Sequence, residues 1–233
     1  MAGSGMVTRR DGSPGAWERR IDAAIHRSGG TKDQLMRAGE HLFARQGIAG
    51  TKIGEINQLA DQRNPSAVHY HFGSKDGLVV AILLRHQRAV ELEAARGLDE
   101  LEGAGGEASV RDLVEAMVRP LAAELETPSG RDFLRIVPQF IGPLDANLRA
   151  GVAEPVTAQS GRLLGLLEDR MGHLPQAVRR ERLVTYTLVL TGILAERARH
   201  LEDRQPTALD AEQFVDHLLD VIEAVMTAPS RIG

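Results

Sequence analysis

The sequence predicts an all-α protein of about nine helices, and three observations carry that prediction. Apolar residues return every third or fourth position through nearly every segment, while no stretch shows the period-two alternation of a half-buried strand. Helix start and stop signals punctuate the chain at matching intervals. Aromatic residues make up only 3% of the 233 residues, so the core has to be built from aliphatic side chains packed helix on helix.

Residues 1–30 form a polar, Gly-, Ser- and Arg-rich arm. Within it Trp17, Ile21 and Ile25 fall at i, i+4 and i+8 and suggest a short amphipathic helix before the Ser28-Gly29-Gly30 break. The next helix opens on a capping-box pattern, Thr31 with Gln34, buries Leu35, Ala38, Leu42 and Phe43, and stops at Gly47, a residue free to take positive φ. A second helix runs from a Thr51 cap to Leu59 or Ala60, with Ile53, Ile56 and Leu59 inward; Gly54 weakens it by about 1 kcal/mol relative to alanine. A third spans Pro65 to about Phe72. Proline suits the first helical position, and Asn64 before it is pushed out of the α region to where a cap belongs. A fourth starts at the Ser74 cap and continues through Leu78, Ile82 and Leu83 to about Leu98.

Residues 102–109 read as a break. Helical spacing returns over Val110–Leu125 and Arg131–Ile141, where Pro138 removes a donor and should kink the second of these. Further helices are expected over Pro155–Met171, from Gln176 to about Arg199, and over Asp210–Thr227.

Composition narrows function. With no cysteine, disulfides, thiolate metal sites and cysteine nucleophiles are excluded. The longest uncharged apolar run, Leu183–Ala195, has 13 residues, short of the roughly 18 that span a bilayer. The start of the chain lacks a signal-like apolar region, so a cytoplasmic location is expected. Residues 1–90 hold 13 Lys/Arg against 8 Asp/Glu, a net of +5, whereas residues 91–233 hold 15 against 24, a net of −9. A basic head on an acidic body suits contact with nucleic acid.

The chemistry concentrates in Thr51–Lys75, two short helices joined by a polar turn. Ala67 is small enough to meet a thymine methyl, Ser66 and His69 can hydrogen-bond base edges, and Lys75 with the Ser74 cap suits a phosphate, while Val68 and Phe72 face inward. The run Phe43-Ala44-Arg45-Gln46-Gly47, the Thr51…Glu55-Ile56 start and the block His69-Tyr70-His71-Phe72-Gly73-Ser74-Lys75-Asp76-Gly77-Leu78 make residues 31–85 resemble the DNA-binding domain of TetR-family transcriptional regulators. The resemblance covers about a quarter of the chain. Two departures stand out. The turn Asp61-Gln62-Arg63-Asn64 is one residue longer than the family's usual form, and His69 stands where the family usually has a phosphate-binding tyrosine, with Tyr70 beside it.

The resemblance implies a helix-turn-helix head over residues 31–77, and a helical ligand-binding and dimerisation body over 78–233. It implies DNA contacts from Thr51, Lys52, Arg63, Asn64, Pro65, Ser66, Ala67, His69, Tyr70 and Lys75, with Thr51 and Lys52 beside the backbone and the early residues of the third helix in the major groove. Arg9, Arg10, Arg19, Arg20 and Arg27 of the arm are further candidates for phosphate.

The last two helices are apolar on more than one side, which calls for neighbours on more than one side. One stripe should face the core and another a second copy; Val184, Leu188, Thr191, Gly192, Ala195, Val215, Leu219, Ile222 and Met226 are the candidates for the two-fold interface. Met117, Leu121, Phe133, Ile136, Phe140 and Leu163 would line an apolar cavity, with Gln139, Tyr186 and Arg135 as polar anchors for a small, mainly hydrophobic ligand. In the family such a ligand shifts the fourth helix and moves the two heads out of register with DNA.

No cofactor or metal is expected. His69 and His71, at i and i+2 on a helix, point to different sides, and no His-Glu-x-x-His, phosphate loop or nucleophile elbow is present. Glu91, Glu93, Glu100 and Glu102 read as solvated helix faces. Enzyme function is therefore not expected. The competing class is a helical ligand-binding or scaffolding protein whose head lacks a specific operator.

Overall fold

The structure, a computed structural model, describes residues 30–103, 105, 107–140 and 158–232. Among the described residues there are nine α-helices and no strand: α1 Thr31–Gln46, α2 Ile53–Leu59, α3 Ala67–Phe72, α4 Lys75–Gly103, α5 Val110–Ala123, α6 Pro128–Ile136, α7 Ala158–Arg170, α8 Gln176–Glu202 and α9 Ala211–Thr227. Two short 3-10 turns, Glu124–Glu126 and Val137–Phe140, flank α6. The expected arm over residues 1–29, its arginines and the start of a helix at Pro155 lie outside the described residues.

Helices α1 to α3 and the first turns of α4 form the head. Leu35, Ala38 and Phe43 of α1, Ile56 of α2, Val68 of α3 and Leu78, Val79 and Ile82 of α4 make its buried core. Gly39 lets α1 and α4 approach, because a Cβ there would lie 3.0 Å from Leu78 Cδ2. The body stacks α8 on α6, α9 on α5, and α5 and α7 on α4, while α1 packs against α6 and joins head to body. Helix α4 belongs to both parts.

Local chemistry sets the ends. Ser109 and Asp112 form a reciprocal cap on α5, and Asp210 and Gln213 do the same on α9. Thr127 Oγ1 accepts from Gly130 N at 2.9 Å and Pro128 opens α6. Gly47 ends α1 with φ of 77°, and Ser74 Oγ caps α4 by accepting from Gly77 N.

Several expectations need correction. Gly30, not Thr31, precedes α1, and the Gln34 side chain pairs with Gln62 instead of closing a capping box. Lys52, not Thr51, is the N-cap of α2, where its N–H donates to Glu55 Oε2 at 2.9 Å. Helix α3 starts at Ala67, two residues after Pro65, because Asn64 Oδ1 accepts from Ser66 N and folds that stretch into a turn. Helix α4 continues beyond Leu98 to Gly103, and α6 begins at Pro128. Pro138 does not kink a helix: the α-helical spacing ends at Ile136 and the proline lies in the 3-10 turn that follows. Glu91 is not solvated. Its carboxylate accepts from Gln159 N at 2.8 Å and from the Ser160 hydroxyl, satisfying the open N-terminus of α7. Glu102 pairs with Arg162 on the surface.

Candidate nucleic-acid interface

Helix α3 has one buried and one open face. Val68 is fully buried and Ala67 nearly so, and both pack on the head core. Ser66, His69 and Tyr70 are exposed, Tyr70 at 82%. An aromatic ring left this open, beside two hydrogen-bonding side chains, is a surface shaped for contact rather than packing. Arg63, Asn64 and Pro65 are exposed in the turn before it, and Lys52 at the start of α2.

The turn is braced from two sides. Asn57 Nδ2 donates to Pro65 O at 2.7 Å, fastening α2 to the entry of α3. Gln62 Nε2 donates to Gln34 Oε1 at 3.0 Å and to Ala60 O at 2.8 Å, fastening the turn to α1. Within the turn Asp61 takes a left-handed conformation, with φ of 51°. Lys32 places its ammonium 5.7 Å from the Phe72 ring centroid and holds the far end of α3. Asn57 and Gln62 carry no motif. Their only signal is a polar residue at an inward helical position and another beside a turn.

Of the residues read as DNA contacts, seven stand open together: Lys52, Arg63, Asn64, Pro65, Ser66, His69 and Tyr70. The His69 ring also bonds Gly73 O through Nδ1 at 3.1 Å. Three are placed otherwise. Thr51 is buried, with its hydroxyl donating to Gly47 O at 2.8 Å, so its side chain is part of the turn after α1. Ala67 faces the core, so its methyl cannot reach a base. Lys75 is turned back into the head and donates from Nζ to Ile48 O at 2.8 Å and to Thr51 O at 3.2 Å.

The junction of head and body is charged. Buried Glu40 of α1 accepts from Arg85, from Ser129 Oγ at 2.6 Å and bonds His86 Nε2 at 2.9 Å, while His86 Nδ1 bonds Glu124 Oε2 at 2.8 Å. Burial alone would lower the His86 pKa, but the bonds to Glu124 and Glu40 override it and raise it to about 9. The imidazolium stacks on Phe133 with ring centroids 4.5 Å apart. Beside this cluster Arg45 bridges Asp132 at 2.8 Å and Glu202 at 3.1 Å, tying α1 to α6 and α8.

In the body, Met117, Phe133, Ile136, Leu163 and Tyr186 are buried in one contiguous apolar core, with Leu121 partly buried against it. Burial pushes the Tyr186 hydroxyl pKa up and the Arg135 guanidinium pKa down. The Phe140 side chain lies outside what is described. Gln139 is not available as a ligand anchor: its Oε1 accepts from Ile48 N at 3.0 Å, and its Nε2 donates to Phe43 O and Arg135 O, both at 3.3 Å.

The proposed dimer stripes resolve unequally. Leu219, Ile222 and Met226 are buried within the protomer and face its own core, so they cannot meet a partner; Thr191 is also buried. Val215 is half-buried against the same core. Val184 and Leu188 remain 51% exposed, with Gly192 exposed and Ala195 half-buried along the same face of α8.

Comparison with known proteins agrees with this architecture. Residues 35–82 match the family described as Bacterial regulatory proteins, tetR family, and residues 115–224 match the Tetracyclin repressor-like, C-terminal domain. The HTH-type transcriptional regulator TtgR of Pseudomonas putida is 25% identical over 195 residues, covering 82% of this chain and 91% of the relative. The probable HTH-type transcriptional regulator ArpR of Pseudomonas putida is 26% identical over the same shares. Among solved structures, a TetR-family bacterial regulatory protein from Rhodococcus superposes with a TM-score of 0.58 at 16% identity, over 87% of this chain and 100% of that one. PfmR from Thermus thermophilus gives 0.53 at 15% identity, over 88% and 100%. At such identities the structures speak for the fold alone, whereas the two matched domains together span head and body: the chain belongs to the TetR family of transcriptional regulators.

Proposed function

We propose that this DNA-binding transcriptional regulator acts as a two-fold dimer that represses its target and leaves the operator when a small apolar ligand enters the body. The observation that carries the reading is the open face of α3, where Ser66, His69 and Tyr70 stand exposed on a helix whose opposite side is buried. Arg63, Asn64, Pro65 and Lys52 extend that face toward the phosphates. We assign residues 31–77 to the head and 78–233 to the body, with α4 as the rigid link. A second copy would cover Val184, Leu188, Gly192 and Ala195 of α8, an apolar strip that water otherwise meets. Two-fold pairing would also set two recognition helices about one turn of duplex apart.

The ligand space is assigned to the region around Met117, Leu121, Phe133, Ile136 and Tyr186, where apolar side chains of α5, α6 and α8 converge. Such a ligand releases DNA only if it favours the head spacing that DNA does not. A cytoplasmic location fits this role, and no helix among the described residues is long and apolar enough to cross a membrane.

The test is binding to a duplex from the region upstream of the protein's own gene. Retardation that weakens steeply with salt, and that falls on Ser66→Ala or Tyr70→Ala, supports the reading. Absence of binding at low salt to that duplex and to a genomic-fragment library would instead favour a ligand-binding helical protein without an operator.

A further inference from the structure

The turn Gly47–Thr51 is held from two sides by groups far apart in sequence. From the body, Gln139 Oε1 accepts the Ile48 N–H at 3.0 Å while its Nε2 reaches Phe43 O in the last turn of α1. From the far side, Lys75 Nζ donates to Ile48 O at 2.8 Å and Thr51 O at 3.2 Å. Lys75 is the first residue of α4 and follows α3 by only Gly73 and Ser74. Thr51 closes the turn internally through its hydroxyl on Gly47 O. One residue, Ile48, is thus bonded through its N–H to the body and through its C=O to the first residue of α4, three positions after the end of α3.

An ammonium has three donors, and two of those on Lys75 are occupied by main-chain carbonyls. The Gln139 amide is occupied in both its roles. We propose that Lys75 and Gln139 are positioning residues for DNA reading, gripping the Ile48 turn between them so that the body sets the angle of α3. The proposal rests on the assignment of α3 as the DNA-reading element. It gives the lysine a role other than that of a phosphate ligand, and gives the body a direct hold on the head besides α4.

The experiment uses the full chain with Lys75→Met, Gln139→Ala and the double variant. Affinity is measured between 50 and 200 mM KCl, roughly the range over which phosphate contacts are resolved, for a duplex from upstream of the gene and a random-sequence duplex of equal length. Hydrogen exchange at residues 47–51 is followed without DNA. Each single variant should bind the upstream duplex about tenfold more weakly, the scale of one or two lost hydrogen bonds, with the salt slope unchanged. The double variant should lose far less than the product of the two, because both act through Ile48. Exchange of the Ile48 amide should quicken at least about tenfold in both single variants, including Lys75→Met, which leaves its own acceptor in place.

A slope lower by about 0.9 in Lys75→Met marks a lost phosphate contact and overturns the proposal, as does unchanged Ile48 exchange in that variant. If the wild type binds neither duplex, the functional reading fails, and the exchange measurement alone decides whether the grip exists. If Lys75→Met does not fold, Gln139→Ala tests the same grip from the body, and unchanged Ile48 exchange there overturns it.

Discussion

Raising the pH should loosen the junction between head and body through a single residue, His86. Its imidazole is buried between Glu40 and Glu124, with Arg85 and Ser129 completing the cluster. The folded pKa is about 9 against an ordinary 6.5, so the folded state holds this proton more tightly than the unfolded chain does. The stabilisation is therefore fully present below pH 6.5 and disappears as pH rises through 9. At about 1.4 kcal/mol per pH unit, the difference is of order 3 kcal/mol, a large fraction of the stability of an ordinary domain. Urea unfolding at fixed protein concentration, from pH 6 to about 10 to span the folded pKa, should show that loss in the wild type. His86→Gln should be less stable at pH 6 and flatter across the window, so subtracting its curve removes the other histidines. A wild-type curve level to within about 1 kcal/mol, or an equal slope in His86→Gln, would refute the argument.

Three more outcomes follow from the same geometry. Gly77→Ala would place a Cβ 2.0 Å from Phe72 O, so thermal melts should show a loss of about 3 kcal/mol or more, or failure of the head to fold; a near-neutral result would mean that the α3–α4 corner opens easily. Leu188→Arg on the exposed strip of α8 should convert a dimer to monomers in sedimentation equilibrium with little change in helical content, and an unchanged mass would place the interface elsewhere. Thr51→Val should cost about 1 kcal/mol for the hydroxyl bond to Gly47 O while the salt slope of DNA binding stays unaltered, because the side chain is buried; a reduced slope would put Thr51 back at the phosphates.

What was legible in the sequence follows a physical line between local and distant bonds. Ser74 and Gly47 mark helix ends through groups within a few residues of themselves, and each behaves as its pattern says, while Ser109 and Asp210 cap α5 and α9 through equally near neighbours. Asn64-Pro65 was only half legible. Asn64 does accept a nearby N–H, but it serves a turn, and Pro65 O is claimed by Asn57 across the helix pair. Periodicity showed that α9 has two apolar stripes without telling which is interior. The core takes Phe214 and Leu218 from one and Leu219, Ile222 and Met226 from the other, since α5 and α8 both pack against this helix.

The charged and amide side chains mark the other side of that line. A lysine after a recognition helix reads as a phosphate ligand, and a glutamine in an apolar stretch reads as a ligand anchor, because side-chain type is all a sequence offers there. Gln139 and Ile48 are 91 residues apart, and Lys75 and Ile48 are 27. Neither partner is a side chain: both are main-chain groups, which every residue carries and no motif can single out. Glu91 on the α7 terminus belongs to the same class. The fold of a helical regulator is therefore readable from caps and stripes, while the link between its two functions lies in side chains bonded to distant backbone. In this chain one such link runs through Ile48, a residue with no sequence signal beyond being apolar.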